Sequence, residues 1–214
     1  MCWSGGKDSA MALQAALADP ALRVEALLTT VTDAYERISM HGVRRALLHR
    51  QAAAIGLPVE EVRIPTQASN AHYEEAMGQL LNRYRAQGVR RVIFGDLFLQ
   101  DIRRYRERQL ARLGMEGLFP LWLRNTKQLA DGFIAAGFRA ILVCVDPRQL
   151  PSAFCGRDFD ATLLRDLPPG VDPCGEHGEF HTFVYEGPMF RQPVRVTRGE
   201  IVERDGFWFC DLLP

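Results

Sequence analysis

Short apolar runs alternate with stretches of helical periodicity through the first half of the chain. Residues 24–31 (VEALLTTV) form a continuous apolar run of strand length, and residues 59–64 (VEEVRI) predict a shorter strand that ends at Pro65. Between them, apolar residues recur at helical spacing over 43–55, which predicts a helix that ends at Gly56. Because strands separated by helices of this length form right-handed βαβ units, we predict a mostly parallel sheet.

The pattern changes toward the carboxyl terminus. Residues 114–120 predict a domain boundary, and strands dominate from residue 180 onward, where Asp205-Gly206 predicts a hairpin turn. We therefore expect an α/β fold of two domains, residues 1–117 and a smaller α/β domain of residues 118–214 that ends in a β-hairpin. The other predicted elements are helices over 69–87, 101–113 and 126–136 and strands over 89–95, 138–145, 194–197, 200–204 and 207–212.

Composition is that of a soluble globular protein. Apolar residues make up 47% of the 214 residues and charged residues 24%. Lys plus Arg (26) equals Asp plus Glu (26), so net charge gives no bias toward nucleic acid or a membrane surface. The five cysteines form no CxxC pair, and no signal peptide or apolar run of about 20 residues is present. We expect a cytoplasmic protein with no membrane partner.

The segment SGGKDS, residues 4–9, is the most specific motif in the chain. Two glycines allow a tight turn that points N–H groups inward, and the Ala- and Leu-rich residues that follow predict a helix whose positive end faces the same point. This combination binds phosphate, although the spacing is not that of a Walker A loop. It resembles the PP-loop of enzymes that cleave ATP between its α- and β-phosphates; the simpler alternative is a Gly-Gly turn that caps an ordinary helix. The predicted nucleotide-binding residues of this loop are Ser4, Gly5, Gly6, Lys7, Asp8 and Ser9.

A loop of this kind normally follows a full buried strand, but only residues 1–3 precede Ser4. Two explanations remain open from the sequence: a start codon further upstream, or a first strand reduced to a stub.

A second group of polar residues lies in the segment PCGEHGEFHT, residues 173–182. Glycines on either side of the acids allow turns that bring Glu176 and Glu179 toward one point, where carboxylates can hold Mg²⁺, orient an amine or act as a base. The alternative is a solvated polar loop before a strand. A zinc site of Cys174, His177 and His181 is a weaker hypothesis, because the fourth ligand and the usual spacing are missing.

Two further features allow two interpretations each. Gly95 and Asp96 follow a predicted strand at the edge where parallel sheets bind ligands, so they are placed to contact adenine or ribose; Asp96 can equally cap the next turn. The arginine-rich stretch of residues 103–112 is either a solvated helix face or a grip on phosphates or an acidic partner.

These motifs together resemble the diphthine–ammonia ligase family. The resemblance rests on the loop at 4–9, His41, Gly95, Tyr105, and the segments 120–122, 156–157 and 175–182, and it covers nearly the whole chain. It is strongest to the bacterial branch. The resemblance implies a PP-loop domain of the adenine nucleotide α-hydrolase type followed by a smaller domain. It also implies the ATP-dependent formation of an amide, with release of AMP and pyrophosphate, as in diphthamide synthesis on elongation factor 2.

The motifs and the resemblance together predict roles for individual residues. In the loop, Lys7 neutralises charge on the departing pyrophosphate, and Asp8 either supports Mg²⁺ or fixes the loop. The resemblance implies that Glu176 and Glu179 bind ammonium or accept its proton. His181 replaces a glutamate of the family; it can act as a base if its pKa lies near neutrality, and the alternative is a structural hydrogen-bonding role. His41, Gly95 and Asp96 complete the predicted nucleotide site, with ATP and Mg²⁺ as cofactors.

The acceptor is less defined than the nucleotide chemistry. The family sequence GEGGEYET is GEHGEFHT here, at residues 175–182, so we expect a carboxylate substrate, free or on a protein, and ammonia or another amine. The sequence allows a homodimer without predicting one. Two alternatives remain open, a PP-loop enzyme that modifies RNA and a nucleotide-binding regulator without turnover.

Overall fold

The computed structural model describes residues 1–32, 37–38, 42–65 and 69–214. Helices and strands alternate through most of these residues, and antiparallel strands dominate from residue 180 onward, as predicted. The helices are α1 (Lys7–Ala18), α2 (Arg45–Ile55), α3 (Asn70–Ala86), α4 (Gln100–Arg112), α5 (Thr126–Ala135) and α6 (Ala161–Asp166). The strands are β1 (Leu27–Thr32), β2 (Arg37–Ile38), β3 (Val59–Ile64), β4 (Arg91–Ile93), β5 (Glu116–Leu118), β6 (Arg139–Val145), β7 (Phe180–Glu186), β8 (Thr197–Arg204) and β9 (Phe207–Leu213).

The amino-terminal strands run parallel, which confirms the predicted fold class. β1 pairs in parallel with β3 and β4 pairs in parallel with β5, while the short β2 is antiparallel to β1. Residues 1–3 connect the two parallel pairs. The Trp3 amide donates to the Leu28 carbonyl at 2.7 Å, and the Cys2 amide donates to the Ile93 carbonyl at 2.9 Å. The residues before Ser4 therefore act as a short strand between β1 and β4.

The segment 114–120 is not a plain linker, because it contains β5, which extends the amino-terminal sheet to Leu118. The division into domains at residue 117 stays a prediction. In the second half, the strands have the order β7-β6-β9-β8 and are all antiparallel. Of the two short strands predicted over 194–197 and 200–204, the second lies within β8, whereas the first is wrong because only Thr197 belongs to a strand. The turn at Asp205-Gly206 completes the predicted hairpin of β8 with β9.

Strand β7 brings the two sheets together. The Val184 amide donates to the Gly5 carbonyl at 2.9 Å, so β7 lies directly against the turn that precedes α1. Side chains of both halves share one core, in which Leu13 of α1 and Leu47 of α2 belong to the same buried cluster as Phe180 and Phe183 of β7. No helix within the described residues is long and apolar enough to cross a membrane.

A separate core lies on the other face of the amino-terminal sheet, beneath α3 and α4. It contains Leu28, Val62, Leu81, Val92, Phe94, Leu110 and Met115. This face of the sheet is important for the site because α3 and α4 approach the carboxyl ends of the parallel strands, where the loop of residues 4–9 begins.

Candidate functional site

The phosphate loop, residues 4–9, is shaped by a buried glutamine. Gly5 has a φ of +78°, and a Cβ at this position would lie 2.6 Å from Gln51 Oε1. The Gln51 amide nitrogen donates to the Gly5 carbonyl at 3.0 Å and to the Val184 carbonyl at 2.6 Å. Its oxygen accepts from Trp3 Nε1 at 3.1 Å. Sequence reasoning missed Gln51, since nothing in its own helix distinguishes it from an exposed polar residue.

Hydroxyl groups complete the loop. Ser9 Oγ donates to the Gly6 carbonyl at 2.8 Å, and the Gly6 amide donates to Ser4 Oγ at 3.3 Å. Gly6 is the N-cap of α1, so the positive end of this helix points at the loop. Ser4, Gly6 and Ser9, with Lys7 and Asp8, line a cavity of about 780 Å³ that we call the nucleotide cavity.

Lys7 is the buried cation of this site, with 2% of its side chain exposed. Its Nζ donates to the two carboxylate oxygens of Asp8 at 2.7 and 2.9 Å and to the carbonyl of Cys174. Burial lowers the pKa of Lys7, but the neighbouring Asp8 carboxylate outweighs it, so the net pKa is raised and the ammonium stays charged. Its main-chain amide donates to Thr182 Oγ1 at 3.0 Å.

Glu176 faces Lys7 and Asp8 from the glutamate loop, residues 172–178. Its carboxyl group lines the nucleotide cavity. Burial, reinforced by the charge of Asp8, raises the pKa of Glu176 to about 8. The carboxyl group of Glu176 therefore changes its protonation state near neutral pH, where a solvated glutamate is already fully ionised.

Glu179 has different surroundings, although it follows Glu176 by three residues. It is 2% exposed, and its two carboxylate oxygens accept from the main-chain amides of Asp172 at 2.9 Å and His177 at 2.8 Å. Among the described residues, those that line the nucleotide cavity do not include Glu179. Its carboxylate therefore holds the glutamate loop closed on itself.

His181 lines the nucleotide cavity at the start of β7. Burial and then the charge of Lys7 lower the pKa of His181 to about 4. The assumption that this pKa lies near neutrality is thus wrong in the folded protein, and the ring is neutral at pH 7. The zinc hypothesis is also wrong, because no three His, Cys, Asp or Glu side chains in the described ranges, Cys174, His177 and His181 included, are placed to hold a metal.

Gly95 allows the end of β4 to pack against the phosphate loop. A Cβ at Gly95 would lie 2.8 Å from the Asp8 carbonyl carbon and 2.9 Å from the Ser9 nitrogen, both main-chain atoms. Asp96 follows it and accepts from Arg106 Nη2 at 3.1 Å; its other oxygen lies 2.7 Å from Arg106 Nε, without the angle of a hydrogen bond. The N-cap of α4 is Leu99, three residues beyond Asp96.

The arginines of α4 divide between the two predicted environments. Arg106 lines the nucleotide cavity, pairs with Asp96 and lies 4.5 Å from the centre of the Phe94 ring. Arg103 stacks 4.6 Å above the Trp122 ring, whereas Arg104 is exposed. The periodicity of a helix that carries five arginines cannot show which of them turns inward, so Arg106 was missed as a cavity residue.

Two predicted sites are not settled by this geometry. His41 lies outside the described residues. Mg²⁺ beside a nucleotide takes most of its ligands from phosphates and water and one or two from carboxylates. Asp8, with 29% of its side chain exposed toward the cavity that it lines, fits that requirement and would be the protein ligand.

Comparison with known proteins gives two family matches and a set of relatives. Residues 1–117 match the model of the diphthamide synthase N-terminal domain, and residues 125–212 match that of the diphthamide synthase C-terminal domain. A diphthine–ammonia ligase of Schizosaccharomyces pombe is 30% identical over 105 residues, or 47% of this chain and 17% of that protein. The Mus musculus protein of that name is 29% identical over 177 residues, or 80% of this chain and 66% of that protein.

The human diphthine–ammonia ligase is 33% identical over 110 residues, which is 49% of this chain and 41% of the human protein. The chain thus spans between about a sixth and two thirds of the length of these relatives.

Proposed function

Since the chain belongs to the diphthamide synthase family, we propose that it is an ATP-dependent amide ligase, which adenylates a carboxylate and transfers the acyl group to ammonia or another amine. One observation carries the proposal. Lys7 of the phosphate loop and Glu176 of the glutamate loop line the same cavity, so a phosphate-binding cation and a titratable carboxyl group face one reaction space.

The first step uses the phosphate loop. A carboxylate oxygen of the acceptor forms a bond to the α-phosphorus of ATP, and the bond from that phosphorus to the bridging oxygen of the β-phosphate breaks. Pyrophosphate leaves with the electron pair. Lys7 and the amides at the start of α1 neutralise the charge that develops on it, and electrostatic stabilisation of this kind is usually the largest single contribution to catalysis.

The second step uses the glutamate loop. The amine nitrogen forms a bond to the acyl carbon, the bond from that carbon to the AMP oxygen breaks, and the nitrogen loses a proton. Glu176 accepts this proton, because a pKa of about 8 makes it a stronger base than an ordinary carboxylate. His181, neutral at pH 7, orients the amine through a ring nitrogen, and Glu179 acts by holding the loop.

The remaining predicted residues concern the nucleotide. Asp8 would hold Mg²⁺ beside the phosphates, and Gly95 and Asp96, which line the nucleotide cavity, contact the nucleoside. The nucleotide contact of His41 stays a prediction. When bound, Mg²⁺ supplies charge neutralisation on the phosphate oxygens. The acceptor is a carboxylate, and the amine is ammonia in the simplest case.

The test measures AMP and pyrophosphate release from ATP and Mg²⁺ in the presence of ammonium and fractionated cell extract. We expect release that requires the extract and is lost in Lys7→Ala and Glu176→Gln. The matched control is Glu203→Gln, an exposed glutamate on β8, which should keep full activity.

Exchange of labelled pyrophosphate into ATP separates the steps. We expect this exchange to require the extract fraction that contains the acceptor but not ammonium. The variant Glu176→Gln should still catalyse the exchange. ATP binding without release of AMP or exchange of pyrophosphate in any fraction would contradict the ligase and favour a nucleotide-binding regulator.

A further inference from the structure

A second cavity adjoins the nucleotide cavity. It has a volume of about 380 Å³ and lies between α3, α4 and the end of β4. Its wall is mainly apolar, with Met77, Leu81, Val92, Phe94 and Leu110 among the contributors. Five residues line both cavities and mark the junction between them: Cys2, Tyr73, Met77, Phe94 and Arg106.

The polar groups of the second cavity are unevenly placed. At the outer part, Glu74 is already satisfied, because it accepts from the Tyr105 hydroxyl at 3.1 Å and from Gln109 Nε2 at 2.8 Å. At the junction, the Tyr73 hydroxyl has no hydrogen-bond partner within the described part of the chain. Burial raises the pKa of Tyr73 to about 12, so its hydroxyl keeps its proton and is available as a donor.

Arg106 provides a second donor at the junction. Asp96 engages its Nε and Nη2, which leaves Nη1 with two protons that neither Asp96 nor another residue in the described ranges binds. Arg106 Nη1 and the Tyr73 hydroxyl together form a pair of donors suited to a carboxylate.

Gly78 keeps the second cavity open. It lies in the interior of α3, where glycine costs about 1 kcal/mol of helix stability relative to alanine. Glu74 and Leu81, four residues before and three after, line the second cavity with it, so these positions share one helix face. Nothing lies within 4 Å of a Cβ built on Gly78, so a larger side chain there would occupy the cavity itself.

We propose that the second cavity binds the apolar body of a small free carboxylic acid, with its carboxylate held by Tyr73 and Arg106 at the junction with the nucleotide cavity. This inference rests on the proposed ligase, for which that acid is the acceptor. The volume is that of a small-molecule site, and the wall, which is mainly apolar, favours an acid with an apolar body.

The test uses binding and therefore needs no turnover. Three fluorinated acids with apolar bodies (4-fluorophenylacetate, 5-fluoroindole-3-acetate and 6-fluorohexanoate) are titrated by ¹⁹F NMR, with trifluoroacetate as the acid that has no body. ATP binding is measured separately by calorimetry. The test variant is Gly78→Leu, and its control is Gly132→Leu, a helix-interior glycine of α5 that lines neither cavity and also has nothing within 4 Å of an added Cβ.

We expect at least one apolar acid to bind saturably, with at least tenfold weaker binding in Gly78→Leu and unchanged binding in Gly132→Leu. ATP affinity should stay within twofold in both variants. Tyr73→Phe, which keeps the ring but removes the donor, should also weaken the acid and provides the same test if Gly78→Leu does not fold.

Three results would overturn the proposal. One is that none of the three apolar acids binds better than trifluoroacetate, and another is that their affinity is unaffected by Gly78→Leu and Tyr73→Phe. The third is loss of ATP affinity in Gly78→Leu with Gly132→Leu unchanged, which would assign the cavity to the adenine base. Acid binding without pyrophosphate exchange would instead contradict the ligase and leave the cavity assignment intact.

Discussion

Glu176 lies in the glutamate loop and Glu179 directly follows that loop, and although both belong to one sequence motif, their carboxyl groups have different neighbours. Glu176 faces Asp8 and Lys7 across the nucleotide cavity, whereas Glu179 accepts from two amides of the glutamate loop. In the sequence the two residues are chemically identical and equally flanked by glycines. Which carboxylate faces the cavity depends on where the amides of Asp172 and His177 lie, and no local pattern encodes this.

The pKa of Glu176 predicts a pH dependence of the amide-forming step. Below about pH 8 the carboxyl group is protonated and cannot accept the proton of the amine, so the single-turnover rate of amide formation should rise with pH up to that value. Glu176→Gln should lower the rate roughly 10²-fold or more and remove this limb of the profile. At a constant concentration of unprotonated amine, a limb that persists in the variant would assign the base to another group.

The same raised pKa affects stability. Between the ordinary pKa of a glutamate and about 8, the folded protein binds more protons at this site than the unfolded chain, so stability falls as pH rises through that interval. Glu176→Gln should therefore raise the melting temperature at pH 8 and change it less at pH 5. Calorimetric melting at both values measures the difference, with Glu203→Gln as the control; an equal change at both would contradict the burial of this group.

At the scale of elements, the site depends on how closely secondary structures approach one another. The end of β4 comes so near the phosphate loop that only a residue without Cβ fits at Gly95. Gly95→Ala should displace the loop, weaken ATP binding at least tenfold and cost about 1–3 kcal/mol of stability, the usual cost of overpacking. Calorimetry and urea unfolding measure both; Gly132→Ala, which should stabilise α5, is the control.

The glutamate loop provides a second prediction at this scale. Glu179→Gln keeps one acceptor oxygen but loses the charge that holds two amides, which should cost about 1.5–3 kcal/mol. Because Glu179 positions the loop and does not accept the proton, kcat should fall while the limb near pH 8 remains. Disappearance of that limb in Glu179→Gln, as in Glu176→Gln, would make Glu179 the base.

The sequence predicted elements well and their mutual placement poorly. β3 was predicted over its full length, 59–64, because its ends at Leu57-Pro58 and Pro65 are marked by residues that interrupt regular structure. The phosphate loop was equally clear, since its glycines and its helix are contiguous. β5 and the inward turn of Arg106 were missed because each depends on a partner distant in sequence, β4 for the strand and Asp96 for the arginine.

At the scale of the whole molecule, the site lies where the amino-terminal parallel sheet meets the carboxyl-terminal antiparallel sheet, and hydrogen bonds of Gln51 connect the two. Its side chain bridges Trp3, the Gly5 carbonyl and the Val184 carbonyl, and thus residues of both sheets and the phosphate loop. Trp3, Leu13, Phe133 and Phe183 belong to one buried cluster that crosses this junction. The cytoplasmic location and the homodimer stay predictions, and the shared core predicts that the two halves unfold as one unit.

The variant Gln51→Leu tests whether the two sheets unfold together, because it keeps the volume of a fully buried side chain and removes its polar groups. Trp3 Nε1 and the Val184 carbonyl would lose their partner, and each unsatisfied buried group costs about 1–3 kcal/mol, so we expect a loss of about 2–5 kcal/mol in urea unfolding. The unfolding transition should remain a single step, because the two halves share one hydrophobic core whether or not Gln51 connects them. Gln79→Leu, an exposed position on α3, should change stability little. Two separate transitions would mean that the sheets fold independently, and a loss no larger than that of Gln79→Leu would mean that Gln51 does not hold them together.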